Sequence, residues 1–223
     1  TDAISVRFME PTGIQIFSPM PSVSAELKVT TVGDLKLGDI IALSDCDSAD
    51  IMQMTAIQTA SSMLQHNAGG ALVPGNATQS LQKKYDTDAS VMRFVARRYF
   101  IGTGAGGGPS LFRLENQDTA AIELITGVEN MEILYGEDTL NNDTIAETYV
   151  SAAAVTNWDN VVSVRLSLLF RTIEENFSNA LDDRTYNMLG DPTTTADDFD
   201  PNPNDRYRRR VVTNTIQIRN RSN

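Results

Sequence analysis

The sequence has little of what most catalytic and metal sites are built from. Its 223 residues hold one cysteine, Cys46, and one histidine, His66. A lone cysteine closes no internal disulfide, and one Cys with one His falls short of the four ligands of a structural zinc site. No stretch approaches the ~18 apolar residues of a membrane-spanning helix, and none has the charged, apolar and small-residue order of a signal peptide. Positive charge is scarce as well, with 18 Lys and Arg against 29 Asp and Glu, a net charge of -11. That balance argues against a nucleic-acid partner, since neutralising phosphates needs a surplus of cations on one face. It argues equally against docking on anionic lipid head groups.

What is present is the composition of a globular head. Hydrophobic residues make up 41% and charged residues 21%, enough to bury a core as one large domain or two small ones. A single domain over 1–223 is expected. Thr1 and Asp2 lead at once into an alternating apolar run, Ile4, Val6 and Phe8, so an N-terminal segment is expected to precede the chain in the full-length protein.

Period-2 patterns dominate. Ala3–Phe8, Gly13–Phe17, Asp39–Leu43 and Asp50–Ile57 read as strands, as do Arg97–Ile101, Ser110–Leu114, Ala120–Ile125 and Val128–Tyr135. The clearest are Val161–Arg171 and Arg210–Arg219; in the first, Val162, Val164, Leu166, Leu168 and Phe170 share one face. Thr144–Ala154, Ala-rich with Ile145, Tyr149 and Ala153 at helical spacing, is the best helical candidate. Exposed loops are expected at 61–88, 102–109 and 187–206, where Gly, Pro, Asn and Asp cluster.

Four features invite a chemical reading. Gly102, Gly104 and Gly107 match G-x-G-x-x-G, but Pro109 and a strand follow where a dinucleotide site needs a helix, so a hairpin loop is expected. Asp198, Asp200, Asn202, Asn204 and Asp205 space oxygens like an EF-hand, yet Pro203 and Arg209 stand where that loop needs Gly and Glu. This 198–205 turn is left as an exposed acidic loop or a looser calcium site. His66 lies in loop-like sequence and is expected at the surface. Arg206, Arg208, Arg209 and Arg210, with Arg219 and Arg221, form the basic cluster; it is expected to pair with the chain's own acids or an acidic partner. Trp158, the sole tryptophan, is expected to anchor the core. No catalytic residue, cofactor, metal ligand or small-molecule substrate is assigned.

Several stretches taken in order resemble one family. They are Asp2-Ala-Ile-Ser-Val-Arg-Phe8, Leu37-Gly-Asp39, Leu43-Ser-Asp-Cys46-Asp-Ser-Ala-Asp-Ile51, Tyr99-Phe-Ile and Ser110-Leu-Phe-Arg. They continue with Leu124-Ile-Thr-Gly-Val-Glu-Asn-Met-Glu-Ile-Leu-Tyr-Gly136 and Val155-Thr-Asn-Trp158-Asp-Asn-Val-Val-Ser-Val-Arg-Leu-Ser-Leu-Leu169. Arg208-Arg-Arg-Val-Val-Thr-Asn-Thr-Ile-Gln-Ile-Arg-Asn-Arg221 ends the series. Together they resemble the PilW family of type IV pilus minor pilins.

The resemblance implies an α+β fold, mainly antiparallel sheet, like a pilin or pseudopilin J head without its N-terminal spine helix. It implies a structural, non-enzymatic role: priming type IV pilus assembly and incorporation at or near the tip. The partners implied are other minor pilins, a tip-associated adhesin and the major pilin below. The missing helix would anchor the head in the inner membrane, facing the periplasm, before assembly carries it outside. Cys46 would be one half of a disulfide whose partner lies outside this sequence. The alternatives are a J-type minor pseudopilin of type II secretion and an exported β-rich enzyme or binding module.

Overall fold

A computed structural model describes residues 1–116, 118–140, 142–175, 179–189, 198–201 and 205–218. Alternation is the rule the chain follows almost everywhere. The strands are β1 (Ala3–Gln15), β2 (Leu27–Lys28), β3 (Ile40–Ser44), β4 (Ala49–Gln53), β5 (Ala56–Gln58), β6 (Met63–Gln65) and β7 (Ser90–Thr103). They continue as β8 (Pro109–Glu115), β9 (Ile122–Thr126), β10 (Val128–Glu137), β11 (Thr148–Val150), β12 (Val161–Arg171) and β13 (Arg209–Gln217). The chain divides into two compact units, one of Arg7–Ala96 and one of Thr1–Val6 with Arg97–Asn223. β1 and β7 contribute residues to both.

The expected α+β, pilin-like fold is overturned. Among the described residues there is no α-helix, only three-residue 3₁₀ turns at Thr59–Ser61, Ala152–Ala154 and Trp158–Asn160. Tertiary pairing overrides the helical spacing of Thr144–Ala154. Asp138 accepts hydrogen bonds from the amides of Asn142 (3.1 Å) and Thr144 (2.7 Å), and Thr144 takes a left-handed φ of 67°. Thr148–Val150 then pairs with Tyr135–Glu137. Helix propensity is worth only tenths of a kcal/mol per residue, too little against a buried carboxylate and a strand ladder.

In unit 7–96, β5, β6 and β2 form a three-stranded sheet, while β3 pairs with β4 and with the first residues of β7. Their shared core includes Ile14, Ile16, Leu27, Ile41, Leu43, Met54, Leu64 and Tyr85. Each such side chain, buried fully, stabilises the fold by about 1.5–3 kcal/mol. Gln53 closes the unit from the polar side. Its Nε2 donates to the carbonyls of Gly38 (2.9 Å) and Val73 (3.0 Å), and its Oε1 accepts from the Gly75 amide at 2.7 Å. Asn76 and the Gln53 backbone exchange a second pair of hydrogen bonds.

Two strand boundaries differ from the sequence pattern here. The two strands expected in 3–17 are one, β1, with Pro11 inside it and Gly13 at φ 72°. Asp50–Ile57 breaks at Met54 and Thr55, whose amides donate to Asp39 and Gln65 instead of continuing a strand. The expected surface excursion over 61–88 is mostly irregular but not superficial. Leu64, His66, Leu81 and Tyr85 are all buried, because Tyr85 reaches Asp50 Oδ2 at 2.8 Å and the Leu81 amide donates to the Val23 carbonyl.

The other unit is a sandwich. One layer is β11-β10-β12-β13; the other comes from β9, β8 and the second half of β7. Leu111, Val128, Met131 and Ile133 are buried between them, flanked by half-buried Ile4, Tyr99, Ile101, Val164, Leu166, Leu168 and Phe170. The N-terminus is tied in: the Asp2 amide donates to the Met131 carbonyl, and Asp2 Oδ2 accepts from the Ile133 amide. β9 turns into β10 at Gly127, which has φ 82° and where a Cβ would stand 2.7 Å from the Arg171 carbonyl oxygen. The Gly127 carbonyl accepts from the Arg171 amide, and its own amide donates to Pro109. Gly127→Ala is therefore expected to cost about 1–3 kcal/mol. Thermal unfolding followed by circular dichroism checks it; an unchanged midpoint would refute the steric account.

Candidate functional site

The basic cluster resolves into two faces of one strand. Arg209 opens β13 opposite Arg171 of β12, and strand alternation sends its side chain inward while Arg208 and Arg210 stay exposed. The Arg209 side chain is 1% exposed, and all five of its N–H donors are used. Nε donates to Glu129 Oε2 at 2.6 Å and Nη2 to Glu129 Oε1 at 3.1 Å. Nη1 donates to Asp182 at 3.0 Å and Asp205 at 2.8 Å, and Nη2 also donates to Asp205. Arg171 binds Glu129 at 3.0 Å and Arg184 binds Asp182 at 3.1 Å, so three carboxylates face three guanidiniums. The rings of Tyr207 and Phe199 lie 5.7 and 5.9 Å from the Arg209 guanidinium carbon.

The network sets its own ionisation. Burial works to raise the Asp182 carboxyl, but hydrogen bonds from Tyr186, Arg209 and Arg184 hold it below its ordinary value. Asp205 is held low chiefly by its hydrogen bond to Arg209, against some desolvation. Burial, then the hydrogen bond to Asp182, pushes the Tyr186 hydroxyl up to about 12. Arg209 stays charged because its carboxylates outweigh the cost of burial. This is a fixed, satisfied clamp joining β10, β13 and the segments at 182 and 205, with no group left over for proton transfer.

The remaining features sit apart from it. Gly104–Gly108 makes the β7–β8 hairpin turn expected of the glycine motif, with the Gly104 amide donating to the Gly108 carbonyl. Cys46 is exposed in the β3–β4 turn at φ 73°. His66 is 2% exposed, contrary to its surface reading, because its Nε2 donates to the Ala25 carbonyl at 3.0 Å inside unit 7–96. Trp158, at 51% exposed, is not a core anchor; it meets Tyr135 edge-on with ring centroids 4.9 Å apart.

Of the 198–205 turn, Asp205 belongs to the clamp and Phe199 bridges to Tyr186. Asn202, Pro203 and Asn204, with Arg219, Arg221 and the middle of the 187–206 loop, lie outside the described residues. Ligand oxygens of Asp138, Asp143 and Glu147 do lie within 4.8 Å of one another. They are spent on backbone amides of their own loop, at Asn142, Thr144, Ile145 and Thr139.

Two sheet edges carry exposed apolar side chains: Ile122, Leu124 and Ile125 on β9, and Val212 and Ile216 on β13. Beside β13, Arg206, Arg208 and Arg210 are exposed at every second position. Sequence spacing could not pair Arg209 with Glu129, 80 residues away, or with Asp182; only the i,i+4 relation to Asp205 was readable.

Removing the Arg209 charge strands buried carboxylates, so Arg209→Leu should lose about 3–5 kcal/mol at neutral pH in urea unfolding. Asp182 and Asp205 titrate below their ordinary 3.8 in the folded state. Their contribution is therefore present above that value and is lost as pH falls through the folded values. The gap between wild type and Arg209→Leu should narrow on acidification; a gap that stays constant down to pH ~3 would refute the clamp.

The sequence profile of the family described as type IV pilus-assembly protein W matches residues 98–220. Comparisons with curated proteins and with solved structures find no match. The matched segment takes in the second half of β7, the whole β8–β13 sandwich and all three residues that bind Arg209, and by this match over more than half its length the chain belongs to the PilW family of type IV pilus-assembly proteins.

Proposed function

We propose that this chain is the head of a structural minor pilin that helps prime type IV pilus assembly and is incorporated at or near the pilus tip through protein–protein packing. Family membership carries a role in pilus assembly, association with other pilus components and a pilus-related place in the cell envelope. The family is one of assembly proteins rather than enzymes. No helix of the described residues is long and apolar enough to cross a membrane.

The finer reading rests on one observation. The matched sandwich ends in strands whose outer residues, Ile122, Leu124, Ile125, Val212 and Ile216, stand apolar and exposed, as contact surfaces for other subunits should. Arg209 and its three carboxylates, in contrast, are consumed in holding β10 and β13 together. Other minor pilins, a tip adhesin and the major pilin are the partners this reading assigns. Cys46, exposed and on a turn, is assigned one half of a disulfide with a cysteine outside this sequence, in keeping with an oxidising envelope.

Deleting the gene in the native organism should abolish or sharply reduce surface pili while leaving type II secretion intact. Complementation with the full-length protein should restore them. Normal piliation in the deletion strain would sink the proposal, and a secretion defect without pilus loss would move the protein to the other machine. Alkylation and mass spectrometry of the native protein test Cys46, which should be blocked before reduction and free after it.

A further inference from the structure

We propose that the outer edge of β13, together with Arg206, Arg208 and Arg210, docks an extended acidic segment of another protein, which adds to the sheet as a new strand. That this protein is a pilus component rests on the reading above; the edge itself does not.

The first support is the hydrogen-bonding direction of β13. Its register with β12 is unbroken from Ser163↔Gln217 to Arg171↔Arg209. The Ile218 amide donates to Val162, and Arg208 accepts from the Thr172 amide. Antiparallel pairing alternates, so even-numbered residues spend their backbone groups on β12. Val211, Thr213, Thr215 and Gln217 turn theirs outward, and among the described residues nothing pairs with them.

The edge also lacks the usual protection. Natural edge strands are blunted by proline, bulges, short length or charges along the strand. β13 has nine residues with no proline and no register shift, and it carries no charge from Val211 to Gln217. Such an edge is a template for strand addition.

Charge selects the occupant. In a chain of net charge -11, Arg206, Arg208 and Arg210 form an exposed cationic row running into this edge, with no side-chain partner among the described residues. Arg209, between them, is turned inward and neutralised, which fixes the backbone that presents its neighbours. A second copy is a poor occupant. Paired antiparallel about a two-fold axis, two β13 edges would set each arginine row against the uncharged Val211–Gln217 stretch of the other, where no carboxylate answers it. A strand with carboxylates opposite Arg208 and Arg210 answers the row, and apolar residues further along that same face would cover Val212 and Ile216.

The probe is a fluorescein-labelled peptide of alternating glutamate and threonine, titrated against the protein by fluorescence anisotropy, with a lysine–threonine peptide as control. Binding of the glutamate peptide alone, weakened by salt, is expected. The double variant Arg208→Glu/Arg210→Glu should lower affinity about tenfold, each exposed ion pair being modest. Thr215→Pro should abolish binding, since it removes an outward amide and leaves the ladder to β12 whole.

Melting curves establish that both variants fold. Should Thr215→Pro not fold, amide exchange in the wild type decides. On adding the peptide, Val211, Thr213 and Thr215 should gain protection. Equal binding of both peptides, protection elsewhere, or a concentration-dependent dimer lost in the double variant would each overturn the proposal. The titration is independent of piliation, so a failed titration with pili still lost on deletion removes the edge site and leaves the assembly role standing.

Discussion

A single buried cation organises the family-matched half of this protein. Arg209 sits at the mouth of β13 with every donor engaged, and its three carboxylates come from β10 and from segments at 182 and 205. None of these groups is tolerable alone. A buried carboxylate without its guanidinium, or the reverse, carries a desolvation cost of several kcal/mol. The strand order β10-β12-β13 and the path of the chain between β12 and β13 are therefore coupled. The same coupling leaves the adjacent arginines exposed, because alternation permits only one residue in two to turn inward.

The apolar side of the sandwich points the same way. Among the described residues, four are buried between its layers with about twice as many half-buried side chains around them, and Val161, Val162, Leu169 and Met188 are buried outside that cluster. Unit 7–96, in contrast, has sixteen buried residues in one cluster and a satisfied glutamine network closing its loop. A thin core draws more of its stability from polar interactions and from whatever later covers its rims. An assembly subunit has that opportunity, since its neighbours bury what folding leaves exposed.

Strands were legible where apolar and polar residues alternate in the sequence. Val161–Arg171 reads identically in sequence and structure, because its alternation runs unbroken across the middle of a sheet. Legibility failed where a distant group decided the local outcome. Asp138 converts an Ala-rich helical pattern into a turn and a short strand, and nothing within 144–154 signals it. His66 and Tyr85 looked like loop residues because Gly, Pro and Asn surround them. Their burial comes from Ala25 and Asp50, far along the chain. Of the clamp, the sequence displayed the arginines and one acid at helix-like spacing. Glu129 and Asp182 join only once β10 and β13 flank β12.

The contrast between Arg209 and its neighbours bears on how a basic motif should be weighed in an acidic protein. A run such as Arg206-Tyr-Arg-Arg-Arg210 invites either self-pairing or partner binding, as though the run acted as a whole. On an extended backbone it splits by parity. One arginine is drawn in and neutralised at three carboxylates, and that fixes the outward aim of those beside it. Both readings hold, for different residues of the same motif. Partition of this kind needs an extended backbone, because on a helix adjacent arginines fan around the axis. Hence a structural cation and an exposed cationic row can share one short extended segment.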